Sequence, residues 1–386
     1  MADFYSLKVN YLKKSTPNSV VIGFDIPSDV KNKFSFEAGQ YISLEKKING
    51  NLIRRSYSIC EEPSLRKILI GVKKLKNGLF SSYLNDEIRL GESIKVSIPE
   101  GRFKYQPLEE GKSLVAFAAG SGITPILSIL KSSLKNTSTN KIILIYGNKS
   151  VEETMFYPEL KEFERKYVNK LSIYWIYSRE KNKGSIFGRI DKSNFNYLFP
   201  KLKSLDSSYY LCGPKDMIMT IHDLLIEKKI NKKKINYELF SGLDDKLEKE
   251  PLINKNNTSN LTIVYDEVEY NIKVKKSQTI LDCSIENNLD VPYSCQGGVC
   301  SSCIAKLKKG KIEMLENQIL TDEEIKDGLV LTCQSIAASD NIIIDYDEVW
   351  FNKISKLFSI IVLGEILLNI FSYPIGTLLP YTDVGI

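Results

Sequence analysis

The chain has 386 residues, of which 43% are hydrophobic and 26% charged, a composition typical of a globular protein with two or three domains. It contains one histidine, His222, and seven cysteines. Sites that need two histidines, such as a Rieske centre or an HExxH zinc site, are therefore excluded. We expect the chemistry of this chain to depend on cysteine, backbone amides and arginine.

Charge is distributed unevenly along the chain. Residues 261–350 carry 8 lysines and 16 acidic residues, a net charge of −8, whereas residues 1–260 carry +14. The total of +6 is too small to indicate nucleic-acid binding. Opposite charges favour docking of one part of the chain onto the other or onto a partner. Two independently solvated surfaces are the alternative.

The N-terminal sequence MADFYSLKVNYLKK lacks the apolar segment of a secretory signal, so we expect a reducing, cytoplasmic location. In such a compartment seven cysteines indicate metal or redox ligands rather than disulfides. Two of them, Cys60 and Cys283, lie in apolar patterns and are predicted to pack in the core.

Residues 1–108 are predicted to form an antiparallel β-barrel. This segment contains short alternating runs separated by turn residues, namely VVIGFDI, YISLEKK, RRSYSI, ILIGVKKL and SIKVSI. A period of two with glycine and proline punctuation is typical of antiparallel strands.

Residues 109–242 change to apolar strands that alternate with amphipathic helices. The strands are SLVAFAA, KIILIYG, LSIYWIYS and SSYYLCG, and the helical patterns include PILSILKSSL, EETMFYPELKEFERKY and DMIMTIHDLLIEKK. Near-continuous apolar strands separated by helices predict an α/β domain with a doubly wound parallel sheet. His222 lies inside the last helical pattern, where a structural role is expected.

The rest of the chain divides into a linker, a third module and an extension. Polar residues 243–260 predict the linker, and residues 261–350 predict an α+β domain with a hairpin, a helix, a cysteine-rich loop and a closing strand. In the extension, 351–386, Glu365 and Asn369 interrupt an apolar run. Since a spanning helix needs about 20 apolar residues, a membrane anchor is disfavoured. A helix that covers an apolar patch on this chain or a partner, or an atypical terminus without function, is favoured.

Four cysteines of the third module have the spacing of iron–sulfur ligands. Cys295, Cys300 and Cys303 follow the pattern C-x4-C-x2-C, and Cys333 follows thirty residues later. This is the plant-type spacing for a 2Fe–2S cluster, in which thiolates supply the soft ligands that iron prefers. A four-thiolate zinc site is the alternative, but such sites usually show paired C-x2-C knuckles.

A second pattern combines an arginine, a tyrosine and hydroxyl groups at the end of a barrel strand. It consists of Arg55-Ser56-Tyr57-Ser58 with Gly78-Leu79-Phe80-Ser81 downstream. An arginine suits a phosphate, a tyrosine suits a flat ring, and a helix that begins at GLFSS offers its first amides to a diphosphate. Each piece alone is weak, because a tyrosine on a strand usually serves packing.

Further patterns lie where strands of the predicted parallel sheet end. They are Ala119-Gly120-Ser121-Gly122-Ile123-Thr124-Pro125, Ser178-Arg179 and Cys212-Gly213-Pro214. Glycines at a strand–helix turn permit close approach of a dinucleotide, and an arginine at the same edge suits a 2′-phosphate. The full GxGxxG fingerprint is absent, so a plain tight turn is the alternative.

In this order RSYS, GLFSS, AAGSGITP, SRE and CGP resemble the ferredoxin–NADP reductase superfamily, and CQGGVCSSC with LTCQ resembles a plant-type ferredoxin. The resemblance covers about residues 5–350 and implies an FAD-binding barrel, an NAD(P)-binding α/β domain and a β-grasp ferredoxin domain. The arrangement, a reductase followed by a C-terminal ferredoxin domain, is most similar to the reductase components of phenylacetyl-coenzyme A epoxidases and related oxygenase reductases. This resemblance implies an oxidoreductase of phenylacetate catabolism that passes electrons from NADPH or NADH through FAD and a 2Fe–2S cluster to a partner oxygenase.

The resemblance also implies roles for individual residues. Those expected to bind FAD are Arg55, Tyr57, Ser58, Gly78, Leu79 and Ser81. Those expected to bind the nicotinamide nucleotide are Gly120, Gly122, Ile123, Thr124, Ser178, Arg179, Cys212 and Gly213, with Ser178 and Arg179 favouring NADPH. The expected catalytic residues are Tyr57, Ser58 and Cys212, and the expected cluster ligands are Cys295, Cys300, Cys303 and Cys333. Phe240 stands where some relatives have a ring-covering tyrosine.

Two alternatives to this function stay open on the sequence alone. One is an electron carrier without NADPH turnover, and the other is a reductase for another acceptor, such as a desaturase, a steroid hydroxylase or a hybrid-cluster protein. The acceptor is recognised by the surface of the ferredoxin domain, and no motif in that segment identifies it.

Overall fold

The computed structural model describes residues 4–63, 67–202, 206–239, 258–293 and 295–349. These residues form a six-stranded antiparallel sheet, a six-stranded parallel sheet and a five-stranded mixed sheet, with a two-stranded ribbon. The extension 351–386 and Phe240 lie outside the described residues. Within the described ranges, no helix has the length and apolar character that a membrane crossing needs.

The first domain is the predicted antiparallel barrel. It comprises β1 (Phe4–Thr16), β2 (Ser19–Asp25), β3 (Tyr41–Ile48), β4 (Asn51–Ser58), β5 (Ile68–Lys73), α1 (Leu79–Asp86) and β6 (Ser93–Ser97). The strand order is β4-β3-β6-β1-β2-β5, and a bridge between Ile59 and Ile70 brings the two outer strands together. Inward-facing residues such as Ile22, Ile42 and Leu44 fill the interior.

The second domain has the predicted parallel sheet with helices on both faces. Its elements are β7 (Ser113–Ala119), α2 (Ile123–Lys135), β8 (Ile142–Asn148), α3 (Tyr157–Lys166), β9 (Leu171–Tyr177), β10 (Ile186–Phe187), α4 (Lys192–Leu202), β11 (Ser207–Gly213), α5 (Lys215–Glu227) and β12 (Ile235–Leu239). The strand order is β10-β9-β8-β7-β11-β12, and β7 and β11 are parallel. Strands β8 to β10 are added on one side of β7, and β11 and β12 on the other, so the topological switch point lies between β7 and β11. In open α/β sheets, ligands bind in the crevice at such a switch point.

The third domain is a small mixed sheet packed on a helix. Its elements are β13 (Thr258–Tyr265), β14 (Val268–Lys275), α6 (Ile280–Glu286), β15 (Ile304–Lys309), β16 (Ile312–Met314), α7 (Asp322–Lys326), β17 (Leu329–Leu331), β18 (Ser335–Ala337) and β19 (Asn341–Asp345). The order is β14-β13-β19-β15-β17, with β13 and β19 parallel. Because β13 begins at Thr258, the last three residues of the predicted linker 243–260 belong to the sheet.

The acidic third domain docks onto the basic body of the chain. Arg54 lies 3.5 Å from a carboxylate oxygen of Asp290, and Arg102 lies 2.9 Å from one of Glu324. A lysine of α5, Lys215, lies 2.9 Å from Glu316. In each pair the cation belongs to the first two domains and the carboxylate to the third. The structure therefore agrees with docking between the two parts of the chain, and not with two separately solvated surfaces.

The turn between β7 and α2 depends on Gly122. A methyl group there would lie 2.2 Å from the backbone carbonyl oxygen of Cys212 on β11. Neither backbone can move without separating α2 from the sheet. We expect Gly122→Ala to lower the free energy of unfolding by about 1–3 kcal/mol, as overpacking does, in urea denaturation. Ser121→Ala adds no atom at this contact and is the control; equal stability of Gly122→Ala and the unmodified protein would contradict the argument.

Candidate active site between the three domains

A cavity of about 450 Å³ lies where the three domains meet, a size typical of cofactor sites. The barrel contributes Tyr41, Arg55, Tyr57, Ser58, Gly71, Gly78, Leu79 and Ser81, among others. The second domain contributes Ser121, Thr124, Glu238 and Leu239, and the third contributes Cys295, Val299 and Cys300. The predicted barrel residues and two of the predicted cluster ligands therefore share one cavity.

Arg55 and Tyr57 of β4 alternate along the strand and so point to the same face, toward this cavity. The Tyr57 ring stacks on Phe80 of α1 with 6.2 Å between centroids and 26° between planes. Arg55 Nη1 donates a hydrogen bond to the Arg54 carbonyl at 2.7 Å, and no described carboxylate forms an ion pair with Arg55. Burial lowers the pKa of Arg55. A half-buried guanidinium without an acidic partner fits an anionic ligand.

Gly78 and Ser81 form the start of α1 at the cavity. Gly78 is the N-cap, and a side chain there would collide with Ser81 Oγ at 2.5 Å. Ser81 Oγ accepts a hydrogen bond from the Leu75 amide at 3.1 Å and donates one to the Gly78 carbonyl at 3.2 Å. The serine hydroxyl is thus used within the turn. What this turn offers to an anion is chiefly its backbone amides.

The thiols of the four cysteines form one connected group. The Cys295 thiol interacts with those of Cys300 and Cys333, and the Cys333 thiol interacts with that of Cys303. Among the described residues, no group of three or more His, Cys, Asp and Glu side chains is placed to hold a metal ion. The four neighbouring thiols are nevertheless the soft donor set that a 2Fe–2S cluster takes, so these residues fit that cluster.

The cysteine loop is held by hydrogen bonds and by a turn with two left-handed residues. These are Gln296, with φ 56°, and Gly298, with φ 73°. The Gly297 amide donates to Cys295 Sγ at 3.3 Å, and Gln334 Nε2 donates to the Gln296 carbonyl at 2.9 Å. Amide donors to a ligating sulfur stabilise the thiolate. The loop therefore places an amide donor at the sulfur of an expected cluster ligand.

Arg54 clamps the backbone just before the cysteine loop onto the barrel. Its side chain is 5% exposed, and its Nε and Nη2 donate to one carboxylate oxygen of Glu45 at 3.0 and 2.6 Å. Its Nη1 donates to the Tyr293 carbonyl at 3.2 Å. The guanidinium lies 4.6 Å from the ring centroids of both Phe4 and Tyr293. In the arginine pair at 54 and 55, one residue therefore joins domains while the other faces the cavity.

Glu238 of β12 is a site residue that the sequence patterns did not assign. Ser58 Oγ donates to its carboxylate at 3.5 Å, and Cys212 is its register partner on β11. Burial raises the pKa of Glu238 to about 8. Burial also raises the pKa of Cys212, with Glu238 adding to the effect, so this thiol is not a nucleophile. An acidic residue inside the apolar run that ends this domain was the signal in the sequence.

The remaining predicted nucleotide residues lie along the edge of the parallel sheet. Thr124 lines the cavity, whereas Gly120, Gly122, Ile123, Cys212 and Gly213 do not. The side chains of Ile123 and Cys212 are fully buried, so in this conformation they offer a ligand their backbone alone. Ser178 and Arg179 follow β9, away from the cavity, and Arg179 is exposed.

Three family models match the chain in the order of these domains. An oxidoreductase FAD-binding domain matches residues 6–105, an oxidoreductase NAD-binding domain matches 117–223, and a 2Fe–2S iron–sulfur cluster binding domain matches 263–338. One component of the 1,2-phenylacetyl-CoA epoxidase of Escherichia coli is 31% identical over 90% of this chain and 99% of its own length. The chain belongs to the family of ferredoxin–NADP reductase-like oxygenase reductases. It is an oxidoreductase with FAD, NAD(P)H and 2Fe–2S sites.

Other members of the family and solved structures agree with this placement. The ferredoxin reductase component of 3-ketosteroid-9-alpha-monooxygenase from Rhodococcus rhodochrous is 28% identical over 88% of this chain and 96% of its own length. The structure of phthalate dioxygenase reductase covers 89% of this chain and 98% of its own, with a TM-score of 0.59 and 24% identity. At that identity, the second comparison supports the three-domain fold alone.

Removal of the Arg54 guanidinium tests the clamp. In Arg54→Ala, Glu45 loses its main partner in a buried position, so we expect the free energy of unfolding to fall by about 3 kcal/mol. Arg102→Ala also breaks a barrel–ferredoxin ion pair, but Arg102 is 40% exposed, and the expected loss is below about 1 kcal/mol. Chemical denaturation of the two variants measures the difference. Equal losses would show that Arg54 is not an anchor.

The carboxyl group of Glu238 makes stability depend on pH. Its folded-state pKa of about 8 exceeds the ordinary value of 4.5, so between these values the folded protein binds a proton that the unfolded chain releases. Stability is therefore lost as the pH rises through this interval. Glu238→Gln cannot ionise, and we expect its stability relative to the unmodified protein to increase from about pH 5 to about pH 9 in thermal melts. A difference that is constant with pH would contradict this assignment.

Proposed function

We propose that this chain is the reductase component that supplies electrons from NADPH to a phenylacetyl-CoA epoxidase. The contact of the Cys295–Cys300 loop with the same cavity as Arg55 and Tyr57 carries the proposal, because it brings the flavin site and the cluster site together. A bound flavin accepts two electrons as a hydride and releases them singly, which is the form that an iron–sulfur cluster takes. This separates the chain from a simple electron carrier.

On this proposal the barrel face of the cavity binds FAD. Arg55 pairs with the diphosphate, and the backbone of Gly78, Leu79 and Ser81 supports it from the other side. Tyr57, whose high pKa from burial keeps the phenol neutral, would support the flavin ring. Ser58, whose hydroxyl donates to Glu238, would lie at the edge of that ring.

The nicotinamide nucleotide binds along the carboxyl edge of the parallel sheet in this proposal. Gly120, with φ 54°, and Gly122 keep the backbone close enough for a pyrophosphate, and Thr124 reaches the shared cavity. Ile123, Cys212 and Gly213 support the nicotinamide end through backbone and packing. Ser178 and Arg179 bind the 2′-phosphate, and Arg179 is exposed and makes no ion pair within the described residues.

On this proposal the four thiolates hold the cluster. Cys295 and Cys300 line the cavity, whereas Cys303 and Cys333 are buried and do not line it. Val299, between Cys295 and Cys300, packs into the core of the second domain and ties the loop to it. The proposed location is cytoplasmic, where thiolate ligands stay reduced.

The choice of epoxidase as acceptor rests on the relative that covers the whole domain arrangement at 31% identity. It is tested by mixing the purified protein, its NADPH-reducible spectrum confirmed, with the oxygenase components of a phenylacetyl-CoA epoxidase. We expect NADPH-dependent oxygenation of phenylacetyl-CoA. Rapid cytochrome c reduction without product would overturn the epoxidase assignment and favour another acceptor, such as a ketosteroid monooxygenase. No NADPH oxidation at all would overturn the reductase function.

Arg179 decides between the two nucleotides in this proposal. Arg179→Ala removes a charge-assisted contact with the 2′-phosphate, so we expect the KM for NADPH to rise about tenfold or more. The KM for NADH, which lacks that phosphate, is expected to stay unchanged. Steady-state kinetics with both nucleotides measure these KM values. Lys166→Ala, which removes a basic side chain from α3, is the control. Equal effects on both nucleotides would refute the assignment.

A further inference from the structure

A network of three side chains ties the cysteine loop to the barrel. The hydroxyl groups of Tyr41 and Ser302 lie 3.1 Å apart, and Ser302 Oγ donates to the Glu100 carboxylate at 3.2 Å. Tyr41 and Glu100 are also joined by two backbone hydrogen bonds of 2.9 and 2.8 Å, so their side chains stand on a fixed frame. Ser302 lies between the cluster ligands Cys300 and Cys303.

The direction of these hydrogen bonds follows from the protons available. Two hydroxyl groups supply two protons, and an ionised carboxylate supplies none. The Tyr41–Glu100 distance, 3.5 Å, is the longest of the three, so Tyr41 donates to Ser302 and Ser302 donates to Glu100. The relay ends on a negative charge one side chain away from the cysteine loop.

Tyr41 also separates two spaces that reach the same cysteine. It lines the central cavity together with Cys300, and it lines a smaller groove of about 200 Å³ that again includes Cys300. Unlike the central cavity, the groove is also lined by Arg102 and Ser301. Tyr41 therefore lies beside Cys300, at the boundary between the proposed flavin site and the proposed cluster site.

We propose that Tyr41, Ser302 and Glu100 are positioning residues that seat the cysteine loop against the flavin cavity, and that the Glu100 charge lowers the reduction potential of the cluster. This inference rests on the proposed function, since it takes FAD and the cluster to occupy the sites assigned above. A nearby negative charge opposes the addition of an electron, and a fixed loop keeps the two centres at one separation. The two effects belong to different atoms of the network and are separable by substitution.

The charge is tested with Glu100→Gln, which keeps the hydrogen-bonding shape. Redox titration followed by electron paramagnetic resonance measures the midpoint potential of the cluster in the complete chain. We expect a more positive potential than in the unmodified protein. Asp25→Asn removes a carboxylate from β2, on the far side of the barrel sheet from β3, and is the matched control, expected to leave the potential unchanged.

The seating is tested with Ser302→Ala, against Ser301→Ala as the control on the same loop. The measurement is the ratio of NADPH-dependent cytochrome c reduction, which passes through the cluster, to ferricyanide reduction, which flavin supports directly. We expect this ratio to fall about fivefold in Ser302→Ala, the effect of losing one hydrogen bond, and to stay unchanged in Ser301→Ala.

The outcomes separate this inference from the proposed function. An unchanged potential in Glu100→Gln together with an unchanged ratio in Ser302→Ala overturns the inference while the reductase function stands. Equal shifts in the controls also overturn it. Absence of flavin and cluster spectra from the unmodified protein refutes the proposed function itself. If Glu100→Gln fails to incorporate the cluster, Glu100→Ser, which also removes the charge, is titrated instead: a more positive potential is expected, and an unchanged potential overturns the charge effect.

Discussion

The position of the third domain depends on the buried side chain of Arg54. Its guanidinium is fixed by Glu45 within the barrel and also donates to the Tyr293 carbonyl, two residues before Cys295, the first of the expected cluster ligands. A planar fork that also stacks between Phe4 and Tyr293 accepts few other arrangements of the two domains. Replacing a whole buried ion pair by apolar residues often costs little stability, whereas removing one partner leaves a buried charge and is costly. The main effect of this pair is therefore to fix how the two domains are arranged. The shared cavity exists because that geometry is fixed.

Much of the architecture can be predicted from local patterns in the sequence. Strands β7 and β11 are buried on both faces, so their apolar runs mark their bounds without ambiguity. The cysteine spacing carries its own chemistry, because four thiolates in this pattern suit a particular metal centre. The barrel strand β1 is harder to detect: its outward positions are lysine, asparagine and tyrosine, and its apolar residues are sparse.

The site as a whole depends on contacts that local patterns do not encode. Arg54 and Tyr293 are 239 positions apart, and no sequence periodicity joins them. Glu238 lies on a five-residue strand, β12, whose pairing with β11 places its carboxyl group beside Ser58. Its raised pKa arises from burial, which is a property of the assembled molecule. The sequence supplies each side chain, while docking determines what surrounds it.

The packing of Val299 against the second domain bears on how the protein is made. The barrel and the parallel sheet are synthesised first. The cysteine loop, which supplies part of the lining of the shared cavity, follows after nearly three hundred residues have emerged. Completion of this cavity is therefore coupled to the folding of the third domain, because a chain that ends before the cysteine loop lacks that part of the lining.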